Sequence, residues 1–599
     1  IVMCTLAALS FFSANSQKLQ YPKAPVSNTV DNYFGREVLD KFRPLENDTS
    51  TATLEWVKQE NKVTDEYLAK IPFRNKLRQR LTELNNYKKT GLPSRENDGR
   101  YYYYENDGLK NQSVLYRVEK LGGTPEVFLD PNALSEDGTV ALTGVFQSND
   151  GKYTAYTISR SGSDWTEIYV IDTETKKTLS DHIEWAKFTG VDWKGNGFYY
   201  SAYPRPEKGK EFSNANENHQ IYYHKLGTPQ NEDILVYDDP AHPLYFHTAY
   251  VPESEDYLFV YGGGQGFGSS LKVKNLLTDG PWEIIEPSQN YEMSILGVAD
   301  GKAYMITSEG APNYRLVAVD LNKPSKENWI EIVPEKKSVL SGAQFAGDKL
   351  LLTYQIDAAD HLFLYDISGK EIREIKLPTF GTVHASSSHK YPDIFYSFNS
   401  YVYPSAIYSY DAKNGVSTFI DQAEISGINL SDYTTEQVFY TSSDGTKIPM
   451  FLTYKKGTKR DGKNPVLLYG YGGFNVSLPP SFSANRLLWL ENGGIYAVAN
   501  LRGGGEYGEA WHKAGTKQEK MNVFNDFISA AEYLIKGKWT SPEYIAIEGG
   551  SNGGLLVGAT VNLRPDLFRV AIPKVGVMDM MRYHLFTIGW NWASDYGTS

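Results

Sequence analysis

The feature that most constrains the fold of this chain is a two-strand unit that recurs seven times between residues 88 and 432. Each unit opens on a turn with Gly or Asp, continues as an aromatic-rich strand, and ends in a partner strand. The first strands begin 44 to 59 residues apart, at Tyr101, Tyr153, Phe198, Tyr257, Ala303, Leu350 and Ile394. A period of about 40–50 residues with several short strands is typical of β-propeller blades. Two β-sandwiches would not need seven near-equal units, so we predict a seven-bladed all-β propeller.

The segments on either side of this repeat have different patterns. Residues 17–87 show helical spacing of apolar residues, and we predict an N-terminal helical segment there. From residue 433 to 599, apolar runs of strand length alternate with helical patterns, the clearest of which covers residues 524–535. Strands that alternate with helices indicate a parallel α/β sheet. We therefore predict a helical segment at 17–87, a propeller at 88–432 and an α/β domain at 433–599.

Charge and cysteine content exclude several classes of protein. The chain has 60 Lys and Arg against 72 Asp and Glu, a net charge of −12, and it lacks basic runs. This balance argues against nucleic acid as a partner. The single cysteine, Cys4, excludes a disulfide framework, a cysteine-based zinc site and a cysteine nucleophile in the body of the protein. No apolar run approaches the length that spans a membrane.

The first sixteen residues carry no charge, and residues 1–12 are mostly apolar. Small residues in Ala14-Asn15-Ser16 have the spacing that a signal peptidase accepts, with cleavage before Gln17. We therefore expect a signal peptide at residues 1–16 and an exported protein, either periplasmic or secreted. The alternative is a buried N-terminal strand.

The segment that carries the chemistry is Gly549-x-Ser551-x-Gly553, which lies between a predicted strand and a predicted helix. This is the context that a nucleophile elbow requires. The glycines permit a tight turn that lifts the Ser551 hydroxyl above the sheet, and the backbone N–H of Asn552 then points at the developing oxyanion. Because a chain with 52 glycines can contain Gly-x-Ser-x-Gly by chance, the alternative is an ordinary glycine-rich loop.

A second glycine pattern, Gly503-x-Gly505-x-x-Gly508, resembles a dinucleotide-binding motif. That motif needs a helix that opens at once and an acidic residue at the end of the next strand. The acidic residue at the required distance, Asp526, instead lies inside a predicted helix. The sequence also lacks a Walker-type loop and a metal-binding His pair, so we predict no cofactor and no metal.

Five segments closely resemble the prolyl oligopeptidase family of serine peptidases. They are Tyr469-Gly-Tyr-Gly-Gly-Phe-Asn475, Asn500-Leu-Arg-Gly-Gly-Gly-Glu-Tyr-Gly508, Gly549-Gly-Ser-Asn-Gly-Gly554, Arg564-Pro-Asp-Leu-Phe568 and Val575-Gly-Val-Met-Asp579. The resemblance is nearly continuous from about residue 440 to 599, and it extends to the N-terminal segment and the sevenfold repeat. It implies an α/β-hydrolase domain, built from the N-terminal segment and the C-terminal part, that is capped by the propeller.

The resemblance implies a role for seven residues. Ser551 is the nucleophile, and the Tyr471 hydroxyl joins the Asn552 N–H in the oxyanion hole. Trp592 stacks on the substrate proline, while the other walls of that pocket are Phe474, Val577 and Tyr596. From the residues alone, Tyr471 is an ordinary aromatic in a glycine-rich turn and the four pocket residues belong to the core. A rigid apolar slot with aromatic faces suits a proline ring and offers no charge to Lys or Arg.

The chain departs from the family pattern in the Asp and the His that complete the catalytic triad with the serine. The order along this fold is Ser, then Asp or Glu, then His, and the resemblance places both partners beyond residue 599. His584 lies in a predicted helix at 578–588, at a position that the family does not use as the base, and we interpret it as structural. Asp579 and Asp595 come too early, and His512 precedes the elbow and has no triad position in this order. We therefore expect the hydrolase domain of this chain to be incomplete, nearly inactive and poorly stable.

The predicted function is a serine endopeptidase that cleaves short peptides on the carboxyl side of proline through an acyl-enzyme. We expect a monomer whose propeller restricts access to short, proline-containing peptides. One alternative is an oligopeptidase that cleaves after Lys or Arg, which an acidic pocket would favour. The other is a non-catalytic propeller scaffold that binds peptides or proteins, which a full reading frame without the Asp and His would favour.

Overall fold

The structure is a computed structural model that describes residues 19–207, 209–211, 215–264 and 266–599. The signal peptide predicted at residues 1–16 lies outside the described residues. The chain divides into two compact units, one that ends at Leu81 and one that covers Thr82–Thr598. Among the helices in the described ranges, none has both the length and the apolar character that crossing a bilayer requires.

The first unit contains a β-hairpin as well as helix. Its strands Thr29–Tyr33 and Arg36–Asp40 pair antiparallel. The turn between them places Phe34 at φ 52° and Gly35 at φ 82°, which are the positive angles of a tight hairpin turn. The predicted helical segment is therefore wrong for this stretch, because the turn at Phe34 and Gly35 reverses the chain and lets the two strands pair. Helix α1 (Thr51–Ala69) follows, and the Ser50 side chain caps it by accepting from the Thr53 N–H.

Helix α2 (Arg74–Asn85) starts in the first unit and ends in the second. In the second unit, Leu84 is fully buried in a cluster that includes Ala484 and Leu487. The Asn85 side chain donates to Asn485 Oδ1 at 2.7 Å. The last turn of α2 is thus anchored to the α/β domain.

The sevenfold repeat forms seven blades in the part of the chain that the structure describes, which confirms the predicted propeller; the pair Ala186 and Ala202 joins blades 2 and 3 in one sheet. Each blade has about four antiparallel strands instead of the two seen in the sequence, because the first and last strands carry few aromatic residues and do not repeat the pattern of the middle two. Blades 1 to 3 comprise Lys89–Thr90, Ser94–Arg95, Tyr101–Asn106, Val114–Val118 and Glu126–Leu129; Val140–Gln147, Tyr153–Arg160, Thr166–Asp172 and Thr178–Ala186; and Asp192–Trp193, Gly197–Ala202, Gln220–Lys225 and Ile234–Tyr237. Blades 4 and 5 comprise Phe246–Tyr250, Tyr257–Gly263, Ser270–Asn275 and Trp282–Glu286; and Met293–Ala299, Lys302–Thr307, Arg315–Asp320 and Ile330–Val333. Blades 6 and 7 comprise Val339–Ala346, Lys349–Ile356, Ala359–Asp366 and Glu371–Ile375; and Thr382–Ser386, Phe395–Ser400, Tyr403–Asp411 and Val416–Gln422.

Side chains join blade 1 to blade 7. Within the described residues the two blades belong to separate sheets. Asp393 accepts a hydrogen bond from Arg95 Nη1 at 2.9 Å and another from the Tyr101 hydroxyl at 3.0 Å. The Tyr101 ring meets the Phe395 ring edge to face, with centroids 6.0 Å apart. The ring of blades is therefore closed here by the Arg95–Asp393 ion pair, the Tyr101 hydrogen bond and the contact between the Tyr101 and Phe395 rings.

The C-terminal part is a six-stranded sheet with helices, which confirms the predicted α/β fold. The strands are β1 (Tyr433–Thr441), β2 (Lys447–Lys455), β3 (Val466–Tyr469), β4 (Ile495–Ala499), β5 (Ile545–Gly550) and β6 (Val570–Lys574). Their order in the sheet is β1-β2-β4-β3-β5-β6. Strand β2 pairs antiparallel with β1 and with β4, and the strands from β4 to β6 in this order are parallel. The helices are α3 (Ala484–Glu491), α4 (Glu509–Lys513), α5 (Lys520–Lys536), α6 (Asn552–Leu563) and α7 (Ala593–Tyr596).

The core of this domain fixes the edge on which the site is built. Leu468 of β3 and Ile547 of β5 are fully buried together with Phe527 of α5 and Leu556 of α6. Burying side chains of this size stabilises the fold by about 1.5–3 kcal/mol each. Because β3 and β5 are parallel neighbours, the loop after β3 and the turn after β5 lie side by side.

The helix predicted at residues 578–588 is not formed. Only a short 3-10 turn, Tyr583–Leu585, lies within this stretch. The Asp579 side chain accepts from the Met581 N–H at 3.2 Å, a local bond that competes with helical hydrogen bonding. Thr587 has a φ of 43°, which a right-handed helix does not allow.

Candidate active site

Ser551 sits at the tip of a strained turn between β5 and α6, as the sequence predicts. Its backbone has φ 56° and ψ −117°, a conformation that costs a non-glycine residue energy. The turn is held because the Ser551 N–H donates to the Lys574 carbonyl at 2.9 Å. A Cβ on Gly549 would lie 2.3 Å from the Gly553 carbonyl oxygen, so only glycine fits at that position. The exposed hydroxyl of Ser551 is thereby presented above the sheet.

Tyr471 lies beside Ser551 in the loop that follows β3. Its phenol lies beside the Ser551 side chain. Burial raises the pKa of Tyr471, while the interaction with the Ser551 side chain acts in the opposite direction. The phenol therefore keeps its proton at neutral pH and can donate a hydrogen bond to an oxyanion.

Asn552 is the first residue of α6 and connects the elbow to its surroundings. Its backbone N–H is in the first turn, where an N–H has no intrahelical acceptor. The buried side chain donates from Nδ2 to the Tyr471 carbonyl at 2.6 Å. Its Oδ1 accepts from the Tyr596 hydroxyl at 3.0 Å and from Lys520 Nζ at 3.1 Å. The orientation of this residue is thus fixed from three sides.

The predicted pocket residues form a continuous row of rings. Phe474 meets Tyr596 edge to face with centroids 5.3 Å apart. Tyr596 meets Tyr583 in the same way at 5.4 Å, and Tyr583 stacks on Trp592 at 6.0 Å. Tyr583 was missed in the sequence, where nothing separates it from other aromatic residues. The fourth predicted wall residue, Val577, is half-buried in the loop after β6, and its part in the pocket stays a prediction.

Asp595 is the polar residue that supports this row. It is 1% exposed, and its carboxylate accepts from the Phe474 N–H at 2.9 Å. Its other oxygen lies 2.7 Å from Nε2 of the buried His512. Phe474 has a φ of 56°, so the bond from Asp595 holds a strained backbone in place. In the sequence neither residue has a position in the triad order, and no local signal pairs them across 83 positions.

His584 lies apart from this pair. It is half-buried, and its ring meets the Tyr583 ring at 5.6 Å. Asp579 is exposed and is used in the turn to Met581. Within the described part of the chain, neither residue is hydrogen-bonded to Ser551, Tyr471 or Asn552.

The space in front of the pocket is shared by the propeller. A cavity of about 350 Å³ is bordered by Phe474 and Asp595 on one side and by Phe246 and Glu292 of the propeller on the other. Asn475, which follows Phe474, donates to Glu292 Oε1 at 2.9 Å. The two domains thus form opposite walls of one cavity.

The glycines at 503–508 serve close backbone packing. A Cβ on Gly503, which has a φ of 90°, would lie 2.6 Å from the Gly472 carbonyl oxygen. A Cβ on Gly505 would lie 2.5 Å from the Asn475 carbonyl oxygen. These residues let one loop lie directly against the loop that carries Tyr471, which accounts for glycine in a motif that resembles a dinucleotide-binding turn.

Comparison with known proteins assigns the chain to a family. The model of the prolyl oligopeptidase N-terminal beta-propeller domain matches residues 21–423, and the prolyl oligopeptidase family model matches residues 480–599. The chain belongs to the prolyl oligopeptidase family. The resemblance seen in the sequence is thereby confirmed, and it applies to both domains.

Other members of the prolyl oligopeptidase family match nearly the whole chain. A prolyl endopeptidase of Elizabethkingia meningoseptica is 45% identical over 602 residues, which cover 100% of this chain and 85% of the relative. A dual function macrocyclase-peptidase of Galerina marginata is 33% identical, over 96% of this chain and 84% of its own length. Among solved structures, one from a study of two prolyl endopeptidases has a TM-score of 0.91 and 37% identity, and covers 97% of this chain and 86% of that protein.

Proposed function

We propose that this chain is a serine peptidase that hydrolyses short peptides on the carboxyl side of proline, with Ser551 as the nucleophile. The observation that carries the proposal is the strained turn at Ser551, an exposed residue that lies beside the Tyr471 phenol. A scaffold that only binds peptides has no need of a strained serine turn. The membership of the family and its prolyl endopeptidase relatives support the same conclusion.

In this reaction Ser551 attacks the carbonyl carbon of the proline residue, and the peptide bond after proline breaks to give an acyl-enzyme. The C-terminal fragment leaves as an amine that takes up the proton lost by the serine hydroxyl. Water then hydrolyses the ester, which releases the fragment that ends in proline and restores the Ser551 hydroxyl. The Tyr471 hydroxyl and the Asn552 N–H donate to the oxygen as it gains negative charge. These donors are already oriented, because the Asn552 side chain is bonded to the Tyr471 carbonyl. Little reorganisation is then required when the charge develops.

The pocket favours proline over a basic residue. Phe474, Tyr596 and Trp592 belong to a row of aromatic side chains, and such faces suit a rigid apolar ring. Two carboxylates border the cavity in front of these rings, Asp595 and Glu292. Asp595 is bonded to His512 and to the Phe474 N–H. Glu292 accepts from Asn475 and from the Tyr314 hydroxyl. Both carboxylates already have partners, which argues against the oligopeptidase that cleaves after basic residues.

We also propose that the protein is exported and acts as a monomer. The support for export is the uncharged apolar run at residues 1–16 with its small residues before Gln17. Sequencing of the N-terminus of protein recovered from the periplasm or the medium tests this proposal. A start at Gln17 supports export, whereas a retained 1–16 segment contradicts it. Light scattering of the purified protein tests the monomer.

The experiment for the activity uses protein expressed from its complete reading frame. Two fluorogenic peptides are compared, one with proline and one with arginine before the scissile bond. We expect cleavage of the proline peptide alone, and its loss in Ser551→Ala. The control Ser368→Ala changes an exposed serine in a propeller turn and should leave the rate unchanged. Cleavage after arginine would overturn the pocket assignment, and cleavage of neither peptide would favour a scaffold.

A further inference from the structure

Lys520 is a buried cation in an unfavourable place. It is the first residue of α5, and its side chain is only 12% exposed. The N-terminal end of a helix carries partial positive charge, so a cation there is repelled by the helix dipole. Burial of an ammonium group adds a further cost unless the group is paired and hydrogen-bonded. Contacts at its Nζ atom must therefore offset both costs.

The contacts of Lys520 come from three separate parts of the site. Nζ donates to the Gly472 carbonyl at 3.1 Å, in the loop of Tyr471, and to Asn552 Oδ1 at 3.1 Å, in the elbow. In α7 it lies 3.9 Å from Asp595 Oδ2 and 5.2 Å from the ring centroid of Tyr596. A single ammonium group thus touches the oxyanion loop, the elbow and the pocket wall.

These three parts do not stay together by backbone hydrogen bonding alone. Phe474 and Asn475 both have left-handed backbones, with φ of 56° and 57°. Residues held in this region persist only where the surroundings over-determine them. Lys520 supplies such a constraint directly at Gly472. It also acts indirectly, because Asp595, which it neutralises, accepts from the Phe474 N–H.

We propose that Lys520 is a positioning residue for the reaction, whose ammonium group holds the Tyr471 loop against Asn552 and Tyr596. The proposal rests on the proposed function of Ser551 and assigns to Lys520 no contact with the reacting atoms. It acts through the geometry of the oxyanion donors and of the proline pocket. A displacement of about 1 Å at such groups costs about 100-fold in rate.

The charge state of Lys520 gives the proposal a measurable signature. Burial lowers the pKa of Lys520 to about 8, and the charge of Asp595 opposes this shift. Four titratable groups lie around Lys520. Asp595 and Tyr596 of α7 contact it directly, and His512 of α4 is bonded to Asp595. Tyr471 belongs to the loop whose Gly472 carbonyl accepts from Lys520. Burial raises the pKa of both tyrosines, so both stay neutral while Lys520 titrates. As the pH rises through about 8, the ammonium group loses the charge that attracts Asp595, and the loop is held less firmly.

The test measures kcat and KM for a fluorogenic proline peptide from about pH 6 to about pH 10, where an alkaline limb of kcat reports a group in the enzyme–substrate complex. Four proteins from the complete reading frame are compared: the natural chain, Lys520→Met, Lys520→Arg and the control Lys536→Met. Lys536 is the exposed last residue of the same helix, so its loss changes the charge of α5 without touching the site. Melting temperatures and circular dichroism establish that each variant is folded.

For the natural chain we expect kcat to fall about three- to tenfold above about pH 8. Lys520→Met should lower kcat about 10- to 100-fold at neutral pH and abolish this limb. Lys520→Arg should shift the limb beyond the measured range, because a guanidinium group stays charged. Lys536→Met should match the natural chain.

Two results would overturn the inference: an unchanged alkaline limb in Lys520→Arg, or a Lys520→Met enzyme with the kcat of the control. If Lys520→Met does not fold, the comparison of the natural chain with Lys520→Arg still decides. Failure of the natural chain to cleave the proline peptide would instead contradict the proposed function. The two failures are therefore distinguishable.

Discussion

Removal of a single oxygen atom tests the oxyanion hole. Tyr471→Phe deletes the phenol hydroxyl that lies beside Ser551 and leaves the ring in place. Burial raises the pKa of this phenol, so it donates a proton across the working pH range. The variant leaves one proposed donor, the Asn552 N–H, whose side chain remains bonded to the Tyr471 carbonyl.

The size of the effect follows from the loss of one of two preorganised donors. Such a loss costs about 100- to 1,000-fold in kcat, or about 2.7–4 kcal/mol. KM should change little, because the donor acts on charge that develops only in the transition state. Tyr471 is half-buried and is not part of the row of rings that we propose binds proline, so ground-state binding should keep its contacts.

The assay is steady-state hydrolysis of a fluorogenic proline peptide by protein from the complete reading frame. The matched control is Tyr469→Phe, two residues earlier, because burial also raises the pKa of this tyrosine. Tyr469 packs with a different cluster, which contains Leu487 and Tyr496. We expect the control to stay within about twofold of the natural chain. A Tyr471→Phe enzyme that loses less than about fivefold in kcat, or a control that loses as much, would refute the assignment of the donor.

Three further perturbations test the framework around the site. Asp526→Asn removes the carboxylate that binds Arg502 Nε at 2.9 Å in the core; we expect a loss of about 3–5 kcal/mol, measured as faster hydrogen exchange in α5. His224→Gln tests a buried imidazole: burial alone would lower the pKa of His224, but two buried aspartates outweigh it and raise the pKa. Its contribution is therefore complete below the unfolded pKa of about 6.5 and is lost as the pH rises through the folded value, so the substitution should lower the melting temperature more at about pH 6 than at about pH 9. Gly549→Ala places a Cβ 2.3 Å from a carbonyl oxygen, and we expect loss of peptide cleavage and a lower melting temperature; a fully active variant would contradict the close packing of the elbow.

Features that depend on local pattern could be predicted from the sequence. The blades follow from alternation within strands and from a repeat that needs no long-range information. The elbow follows from glycine spacing between a strand and a helix. The roles of Tyr471, Phe474 and Trp592 came only from a family resemblance, because an aromatic residue in a pocket and one in a core have the same local pattern.

Features that depend on distant pairs were missed. His512 and Asp595 lie 83 positions apart, and Lys520 meets Asn552 across 32 positions. No local spacing indicates such a pair, because the contact is made by tertiary packing of α4, α5 and α7. The hairpin near Gly35 was missed for a different reason: it is short, and it lies beside strongly helical segments.

The seam between blades 1 and 7 makes the closure of the propeller sensitive to ionic strength. Arg95 and Asp393 are 32% and 24% exposed, so dissolved ions can screen their attraction. The same holds for exposed ion pairs between other blades, such as Lys194–Glu255 between blades 3 and 4. The blades themselves are held by buried side chains and backbone ladders, which salt affects far less. A rise in salt therefore loosens contacts between blades while each blade keeps its own stability, and cleavage of the loops near the blade 1–7 seam by an added protease should increase with salt.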